Sequence, residues 1–462
     1  MRTVLTCCLG FVVSAAAVGP AGELSPASVK AVPVGVARAD VTPSHPVRLV
    51  GYAGRTQESE GVAGRLWAKA LAIGGDEGEG PAVLLTVDNC GVPDNVVEDL
   101  AERLRKKAGV KRERFAVCSS HTHNGPWLDG YLPYHYSEPI PESHRENMRR
   151  YTRWLTDAAE RVALDALAAR KPGLLSWAQG TVGFAANRRV LKDGRWAKFG
   201  VQADGPVDHS LPLLCVSNLE GKPLAVVLNY ACHGTTLTTI GNQVHGDWAG
   251  CAQELIEAEH PGVVSLVTVG CGGDANPEPR GGLDVVQAHG RSVAEEVKRL
   301  LQGKLTPINP ELTARWKRIR LPFDSLPTRS ELGEMAKDGG RKGDLARALL
   351  AALDSGTFPT SLDYSVGTWS FGDDLAMIFL PGEVVVDYAL RLKRDFDGRR
   401  LWVTAYANDV PCYIPSKRIL NEGGYEADSS MVSYAQPARL APETEEIIVS
   451  AVRELLPANF RR

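Results

Sequence analysis

The chain has 462 residues, of which 44% are hydrophobic and 23% are charged, and its formal net charge is −3. This length can bury a large core, and the apolar fraction is ordinary for a globular protein. The nearly balanced charge gives no electrostatic basis for nucleic-acid binding, so we expect no nucleic-acid partner. These features favour a large globular enzyme or binding protein.

The first residues have the pattern of an export signal. A short basic start precedes an apolar run at residues 4–18, which ends in small residues that suit cleavage. The run is shorter than the ~20 residues of a transmembrane helix, so we expect no transmembrane segment. We predict a signal peptide at residues 1–21, a linker at 22–35 and one catalytic domain at 36–462. The protein would then be exported to the periplasm or the extracellular space.

Seven cysteines follow the predicted signal, an odd number, and none forms a CxxC pair. They are Cys90, Cys118, Cys215, Cys232, Cys251, Cys271 and Cys412. Most lie in apolar runs, which predicts buried thiols with one or two disulfides and no cysteine-based zinc site.

Strands and helices alternate along the first two thirds of the chain. Apolar runs predict strands at residues 66–73, 82–87, 115–118, 174–186, 211–217, 223–230 and 263–269. Amphipathic spacing predicts helices at 94–109, from 143 to before Pro172, at 247–259 and at 285–302. Residues 143–146 read as a capping box for the second of these helices.

The last third contains a predicted hairpin at residues 364–380, turned at Gly372. Other elements are predicted at 312–321, 328–353, 401–406 and 442–456. The whole pattern predicts an α/β fold with mixed sheets and flanking helices in a single large domain. The charged stretch at 328–355 is either a lid or a solvated helix.

Polar residues that can bind a metal follow the ends of several predicted strands. They are His121 and His123, His233, Asp274 and Asn276, and Glu383. Ligands bind beyond strand ends in α/β sheets, so these side chains can converge. Two histidines and a carboxylate suit zinc with an open position for water. Each residue also has an ordinary alternative, such as Glu383 starting a helix or a histidine facing solvent.

Six short segments, in the same order, resemble the neutral/alkaline ceramidase family. They are Ser-His-Thr-His-Asn-Gly-Pro at 120–126, Ala-Cys-His at 231–233, Gly-Asp-Trp-Ala-Gly at 246–250, Gly-Asp-Ala-Asn-Pro at 273–277, Pro-Gly-Glu at 381–383 and Tyr-Ile-Pro-Ser at 413–416. Each segment alone is weakly specific, but six in order are specific. The resemblance runs from residues 40–43 to 425–430 and so covers most of the mature chain.

The resemblance implies a zinc-dependent amidohydrolase that cleaves an N-acyl amide, with ceramide among the candidate substrates, by attack of zinc-activated water. Its expected partner is a small-molecule or lipid substrate, with a transient membrane-surface contact left open. The implied zinc ligands are His121, His233, Glu383 and Tyr413, with His123 as the alternative to His121. The implied contacts to the scissile amide or its oxyanion are His123, Arg188 and Tyr425.

The chain departs from the family pattern at Asn276, where the family has a serine in a GDxSP segment. Asparagine cannot form an acyl-enzyme, so Asp274 and Asn276 would serve the site without a covalent step. Two other functions stay open: a zinc esterase or other hydrolase on the same scaffold, and a non-catalytic lipid-binding relative. From the residues alone, Arg188 can also be a surface charge and Tyr425 a loop aromatic.

Overall fold

The computed structural model describes residues 30–136 and 138–462. The predicted signal peptide, residues 1–21, lies outside the described residues, as do residues 22–29 of the predicted linker. Within the described part of the chain, no helix is both long enough and apolar enough to cross a membrane.

The strands are β1 (Val32–Asp40), β2 (Gly61–Val62), β3 (Trp67–Ile73), β4 (Ala82–Val87), β5 (Phe115–Ser119), β6 (Lys171–Thr181), β7 (Ala185–Asn187), β8 (Arg189–Lys192), β9 (Arg195–Phe199), β10 (Ser210–Asn218), β11 (Pro223–Tyr230), β12 (Gln243–Val244), β13 (Val264–Val269), β14 (Ala275–Pro277), β15 (Thr306–Pro307), β16 (Leu312–Pro322), β17 (Ser361–Phe371), β18 (Leu375–Phe379), β19 (Glu383–Val384), β20 (Leu401–Thr404) and β21 (Tyr413–Ile414). The α-helices are α1 (Asp94–Ala108), α2 (Glu142–Ala168), α3 (Asp247–Glu259), α4 (Leu283–Gln302), α5 (Arg329–Met335), α6 (Gly340–Ser355), α7 (Val386–Asp395), α8 (Lys417–Glu422) and α9 (Thr444–Leu455). Short 3₁₀ turns lie at Arg112–Arg114, Gly398–Arg400, Ser429–Tyr434 and Ala458–Phe460.

The largest sheet of the described residues has the strand order β13-β11-β10-β6-β1-β3-β4-β5, with β15 beside β6. Its neighbouring strands are antiparallel except for the pairs β4–β5 and β11–β13. A parallel pair needs a crossover connection, and α1 and α3 supply the two crossovers. The residues that follow β11 and β13 therefore lie at one end of the sheet, whereas β5 runs opposite to these two strands along the order of pairs.

A second sheet has the strand order β16-β17-β18-β20. Strands β17 and β18 form the predicted hairpin, and Gly372 in its turn has a φ of 49°, which glycine adopts without strain. Strands β18 and β20 are parallel, and α7 supplies their crossover. This arrangement places the residues after β18 and β20 at a common end as well.

The two sheets pack face to face over an apolar layer. This layer takes Leu71 and Val227 from the large sheet and Trp369 and Phe379 from the small one. Helices α2, α3 and α4 pack on the large sheet, and α9 packs on the small one. The mixed sheets with flanking helices confirm the predicted fold class.

The chain after β20 joins the ends of the two sheets. The Ala405 amide donates to the Val269 carbonyl at 2.9 Å, and the Asn408 amide donates to the Val117 carbonyl at 2.7 Å. In the same region the buried Asn229 side chain donates to the Val403 carbonyl at 3.1 Å. These bonds bring the ends of β5, β13 and β20 together, and the candidate site lies there.

Strand β1 begins at Val32, so residues 32–35 belong to the large sheet and not to the predicted linker. Val34 lies opposite Ile73 on one side and Lys171 on the other, and its side chain is buried between the sheets. The Pro and Gly content of this segment favours a linker locally, but pairing on both sides overrides that preference.

Two further details differ from the sequence-based expectations. Helix α2 begins at Glu142 with Pro141 at the N-cap and no side-chain cap, so the capping box at residues 143–146 is wrong. Proline suits the start of a helix because its φ is already helical and no amide hydrogen is needed there. All seven described cysteines carry free thiols, so the predicted disulfides are wrong, whereas the predicted burial holds for all but the half-buried Cys251.

The half-buried carboxyl of Asp409 makes stability depend on pH. Burial, reinforced by the nearby Asp94, raises the pKa of Asp409 to about 7, from a usual value of about 3.9. Because the folded pKa exceeds the unfolded one, the folded state binds the proton more tightly. This contribution to stability is complete below about pH 4 and is lost as the pH rises through about 7.

We therefore expect Asp409→Asn, which keeps an acceptor oxygen for the Asp94 and Val410 amides, to lose less stability than the wild type between about pH 5 and about pH 8. Urea unfolding at the two pH values measures this difference. Asp165→Asn, on the exposed surface of α2, is the matched control and should follow the wild type. Equal pH dependence in Asp409→Asn and the wild type would contradict the prediction.

Candidate metal centre

Two histidine segments lie side by side at the end of the large sheet. Thr122 pairs with Gly234 in a parallel bridge, and the His123 amide donates to the Gly234 carbonyl at 3.0 Å. A Cβ at Gly234 would lie 2.5 Å from the His121 carbonyl oxygen, so this approach requires glycine. The contact brings His121, after β5, next to His233, after β11.

The carboxylate and the phenol of the site come from a second pair of segments. Glu383 and Tyr413 are opposite each other in the short parallel pair β19–β21. The Glu383 amide donates to the Cys412 carbonyl at 3.0 Å, which fixes the register. The backbone therefore places both side chains on the same side, towards the histidines.

Four potential ligand atoms meet at this point. Glu383 Oε2 lies 3.2 Å from His121 Nε2 and 3.0 Å from His233 Nε2. The Tyr413 hydroxyl lies 3.3 Å from His233 Nε2. All four side chains are buried. The structure thus brings together His121, His233, Glu383 and Tyr413, although they come from four separate segments of the chain.

The hydrogen bonds around the cluster fit a metal ion. His121 Nδ1 donates to the Cys90 carbonyl, and His233 Nδ1 donates to the Gly272 carbonyl, both at 2.7 Å. These bonds fix the orientation of each ring and turn each Nε2 towards the cluster. Glu383 Oε2 is buried and has no hydrogen-bond donor among the described residues. Such an atom needs a cation, and the three side chains form a candidate metal group.

The electrostatics keep Glu383 and His233 in the forms that bind a metal. Burial alone would lower the pKa of His121, but Glu383 raises it to about 10, so His121 would release a proton on binding a metal. Burial alone would raise the pKa of Glu383, but His121 and His233 hold it well below its usual range. Burial lowers the pKa of His233 to about 3, and the adjacent Arg188 acts in the same direction. The carboxylate is therefore ionised and the His233 imidazole is neutral.

A second candidate group comprises Cys90, His121 and His123. Cys90 Sγ lies 3.7 Å from His121 Nδ1, but that nitrogen already donates to the Cys90 carbonyl. Only one ring nitrogen of His121 is free, and it faces Glu383. The geometry favours the group that contains the carboxylate.

His123 lies between the cluster and the solvent. Its Nε2 is 3.2 Å from His121 Nε2, and its Nδ1 is buried with no partner among the described residues. A Cβ at Gly51, whose φ is 108°, would lie 2.4 Å from Cγ of His123. Gly51 is thus required for the position of the imidazole, which lines an open cavity of about 650 Å³.

Arg188 is buried and is not a surface charge. Its guanidinium donates to Glu426 at 2.8 Å, to the Tyr413 hydroxyl at 3.0 Å and to Asn276 at 3.3 Å. Its neighbour Arg189 is also buried and pairs with the same carboxylate. Glu426 therefore holds both arginines, and Arg188 orients Tyr413 from the cavity side.

Tyr425 also faces the cavity. Its ring is 5.4 Å from the ring of Tyr413 and 5.1 Å from that of Phe199, centroid to centroid. Burial raises the pKa of Tyr425 to about 12, so its hydroxyl is a hydrogen-bond donor at neutral pH.

Asp274 and Asn276 occupy different positions. Asp274 accepts hydrogen bonds from the Val386 amide at 2.8 Å and from the Asn187 side chain at 3.0 Å. Burial raises its pKa to about 6, and these bonds make it a positioning residue for the segment after Glu383. Asn276 lines the cavity, and its Oδ1 accepts from Arg188 and, at 3.4 Å, from Thr235.

Sequence reasoning missed two residues that contact the site. The Tyr434 hydroxyl donates to Glu383 Oε1, and Glu426 holds Arg188. A search for a carboxylate partner of the Arg188–Arg189 pair could have suggested Glu426, which follows Tyr425. Nothing in the sequence signals Tyr434, because it lies on a 3₁₀ turn with no regular pattern.

Comparison with known proteins adds three findings. The family model for "Neutral/alkaline non-lysosomal ceramidase, N-terminal" matches residues 33–283. "Neutral ceramidase 1" of Arabidopsis thaliana is 24% identical over 237 residues, 48% of this chain and 29% of that protein. "Neutral ceramidase" of Drosophila melanogaster is 24% identical over 270 residues, 54% of this chain and 36% of that protein. The alignments therefore span well under half of these relatives.

A solved structure matches over more of the chain. The neutral ceramidase from Pseudomonas aeruginosa superposes with a TM-score of 0.71, covering 94% of this chain and 76% of that one. At 19% sequence identity, this match shows a common fold. The family model includes the segments with His121 and His233, whereas Glu383 and Tyr413 lie beyond its last residue.

Tyr434→Phe should weaken metal binding without abolishing it. The variant removes the hydrogen bond that orients Glu383, and such outer partners typically change metal affinity about 10- to 100-fold. Competition with a chromogenic chelator for Zn²⁺ measures the affinity. Tyr151→Phe is the matched control, since its buried hydroxyl donates to the Val41 carbonyl. The same affinity in both variants would show that Tyr434 does not support the ligand.

Proposed function

The chain belongs to the neutral/alkaline non-lysosomal ceramidase family, and from this premise we propose that it is a zinc-dependent amidohydrolase acting on an N-acyl amide, with ceramide as the first candidate. The observation that carries the proposal is the buried Glu383 oxygen between two histidines whose Nδ1 atoms are already bonded. The activity and the substrate come from relatives that the chain matches over only part of their length.

We assign His121, His233, Glu383 and Tyr413 as the zinc ligands. Ligand atoms at about 2.0 to 2.2 Å from a tetrahedral zinc lie roughly 3.3 to 3.6 Å apart. The separations of 3.0 to 3.3 Å in the cluster are close to that range. When bound, zinc would supply a Lewis acid and, at a coordination position beyond these four side chains, a water nucleophile at neutral pH. His123 is the alternative to His121, but its Nε2 faces His121 and it lines the cavity.

The remaining side chains bind and orient the amide. The Tyr425 hydroxyl donates to the carbonyl oxygen as negative charge develops there. Burial lowers the pKa of His123 well below its usual range, with His121 and His233 acting in the same direction. Because His123 is neutral, it would take up the proton that the attacking water releases, at Nδ1 or Nε2, and pass it to the leaving amine.

Asn276 acts without forming a covalent intermediate. Its amide cannot serve as an acyl-transfer nucleophile, and its Oδ1 is bonded to Arg188 and Thr235. We assign Asn276 to holding the Arg188 guanidinium and Asp274 to holding the backbone near Glu383. Hydrolysis would then proceed by direct attack of water in a single displacement.

Two alternatives share this site. An esterase would use the same groups, because the site geometry does not fix which acyl bond is cleaved. A non-catalytic lipid-binding relative is suggested by Asn276, but it has no need of a preformed ligand cluster. Export stays a prediction from residues 1–21, and so does a transient contact with a membrane surface.

His233→Ala and Glu383→Ala should each lose bound zinc and hydrolysis together, because each variant removes one of the ligands. We expect about one zinc per wild-type chain, measured by elemental analysis beside hydrolysis of a fluorescent N-acyl sphingosine. A matched pair of amide and ester substrates in the same assay distinguishes amidase from esterase.

Wild-type protein without zinc would overturn the metal assignment. Zinc without cleavage of any acyl substrate, together with tight binding of acylated ligands, would favour the binding relative. The zinc content of Arg161→Gln, a change on the exposed surface of α2, serves as the control for folding.

Tyr425→Phe should lower kcat about 10²- to 10³-fold with little change in KM, since the lost hydrogen bond acts mainly in the transition state. Steady-state kinetics on the preferred substrate, with zinc content measured in parallel, test this. A rise in KM at constant kcat would instead assign Tyr425 to ground-state binding of the substrate.

A further inference from the structure

We propose that the substrate carries a negatively charged group close to the scissile amide, such as a carboxylate or a phosphate on the amine half. The inference rests on the proposed function, and it places an anionic N-acyl amide ahead of ceramide, which is neutral, as the substrate of the same site. It is motivated by the charge of the cavity, which differs in sign from the formal net charge of −3 of the whole chain.

The cavity lining is strongly cationic. Four of its side chains carry a positive charge: Arg188, Arg280, Arg341 and Lys342. No aspartate or glutamate is among the described residues that line it. Further in, the Arg55 guanidinium donates to the carbonyl of His123 and lies 4.9 Å from the centre of the Tyr52 ring. An uncompensated group of cations attracts and retains anions.

The protein neutralises only one of these charges. Arg188 pairs with the buried Glu426 at 2.8 Å. Among the ion pairs of residues 30–136 and 138–462, none includes Arg55, Arg280, Arg341 or Lys342. Surface arginines elsewhere in the chain are commonly paired, for example Arg439 with Asp324 and Arg103 with Asp157. The cavity therefore offers positive charge that the fold itself does not use.

Neutral hydrogen-bond partners hold two of the arginines in place. Arg280 donates from Nε to the Thr235 carbonyl at 2.7 Å and from one terminal nitrogen to the Tyr52 hydroxyl at 3.1 Å. Arg341 donates to the His135 carbonyl and to the Ser433 hydroxyl, both at 3.2 Å. Each guanidinium keeps unused N–H groups, and its fork geometry suits two oxygens of a carboxylate or phosphate.

Arg280 lies near the reacting groups. Tyr52, which receives the Arg280 hydrogen bond, packs edge-on against His123 with ring centroids 5.1 Å apart. One aromatic ring thus separates Arg280 from the proposed proton carrier. An anion bound there belongs to the part of the substrate next to the amide and not to the far end of a long acyl chain.

A substrate whose amine half carries no charge would bind this cavity more weakly. The hydroxyls of an unmodified sphingoid base can accept hydrogen bonds from arginine, but they leave the charges uncompensated. A carboxylate or phosphate, in contrast, compensates the charge and can bind a guanidinium through two parallel hydrogen bonds. An anionic membrane could also attract the same cations, so the test uses monomeric substrates and includes vesicles as a separate arm.

The test compares three hexanoyl amides with zinc-loaded full-length protein. Hexanoylglycine carries a carboxylate, hexanoyl-phosphoethanolamine carries a phosphate, and hexanoylethanolamine is neutral. Release of the primary amine is measured by fluorogenic labelling. We expect kcat/KM for at least one anionic amide to exceed that of the neutral amide about tenfold or more, and the two anionic arms identify the preferred anion.

Arg280→Gln and Arg341→Gln should each reduce that anionic-to-neutral ratio about tenfold, mainly through KM. Arg161→Gln, which changes an exposed arginine of α2 outside the cavity, should leave the ratio as in the wild type. Zinc content of each variant shows that the metal centre is intact.

Equal or better cleavage of the neutral amide would overturn the inference and leave the proposed function standing. A charge preference that persists in both arginine variants would overturn the assignment to this cavity.

If ceramide in anionic vesicles is cleaved faster than in zwitterionic ones while the monomeric amides show no preference, the cations serve a membrane and the inference fails. No cleavage of any amide by the zinc-loaded protein would overturn the proposed function; binding of hexanoylglycine by calorimetry, weakened in Arg280→Gln, would then still support the anion site.

Discussion

The structure of the site depends on one buried carboxylate. Glu383 Oε2 lies within 3.2 Å of two imidazole nitrogens and has no hydrogen-bond donor of its own among the described residues. An ionised carboxylate in such a position is costly unless a cation compensates it. The fold nevertheless builds three independent supports around it: the β19–β21 pair, the Tyr434 hydroxyl and the carbonyls that orient both histidines. So much support around an otherwise unfavourable charge is expected of a metal ligand and not of a structural residue.

The backbone near the site is strained as well. Four residues other than glycine have positive φ at or beside the cluster: His121 at 54°, Asp247 at 53°, Tyr406 at 51° and Asn408 at 64°. Each contributes to the site through a defined contact. Tyr406 stacks on His121 with ring centroids 4.2 Å apart, and the Asp247 carboxylate accepts from two amides just after His233. Strain of this kind persists only where the surroundings fix the conformation, and it concentrates at functional sites.

Whether the sequence alone predicts a residue of this site depends on the structural element that carries the residue. His121, His233 and Glu383 follow apolar strands, and the rule that such ends converge suffices to bring them into one hypothesis. Tyr413 and Tyr425 follow no such strand. Their approach depends on a two-residue parallel pairing and on the loop after α8, neither of which has a periodic signal. Only the resemblance to the ceramidase family indicated Tyr413 and Tyr425 as site residues.

The same distinction explains the errors in the fold. The strand pattern was sufficient for the buried strands β4, β5, β11 and β13, whose apolar runs are long. It failed for residues 32–35, where two neighbouring strands impose an extended conformation on a segment rich in proline and glycine. It also could not predict the β8–β9 hairpin, which is mostly exposed and has no apolar alternation.

A chain of alternating charges leads outward from the candidate metal centre. Glu383 is followed by Arg188, which contacts His233 at 3.0 Å, then by Glu426, by Arg189 and finally by Glu422. Because every charge lies between opposite ones, Arg188 can remain buried beside a histidine without a net excess of charge. Its position also opposes protonation of His233, which keeps that nitrogen available as a ligand. Arg188 therefore links the ligand cluster to the scaffold, although the sequence alone could not distinguish it from a surface charge. The cations across the cavity have no such chain of partners, and that contrast separates the charge that supports the site from the charge that is free to meet a substrate.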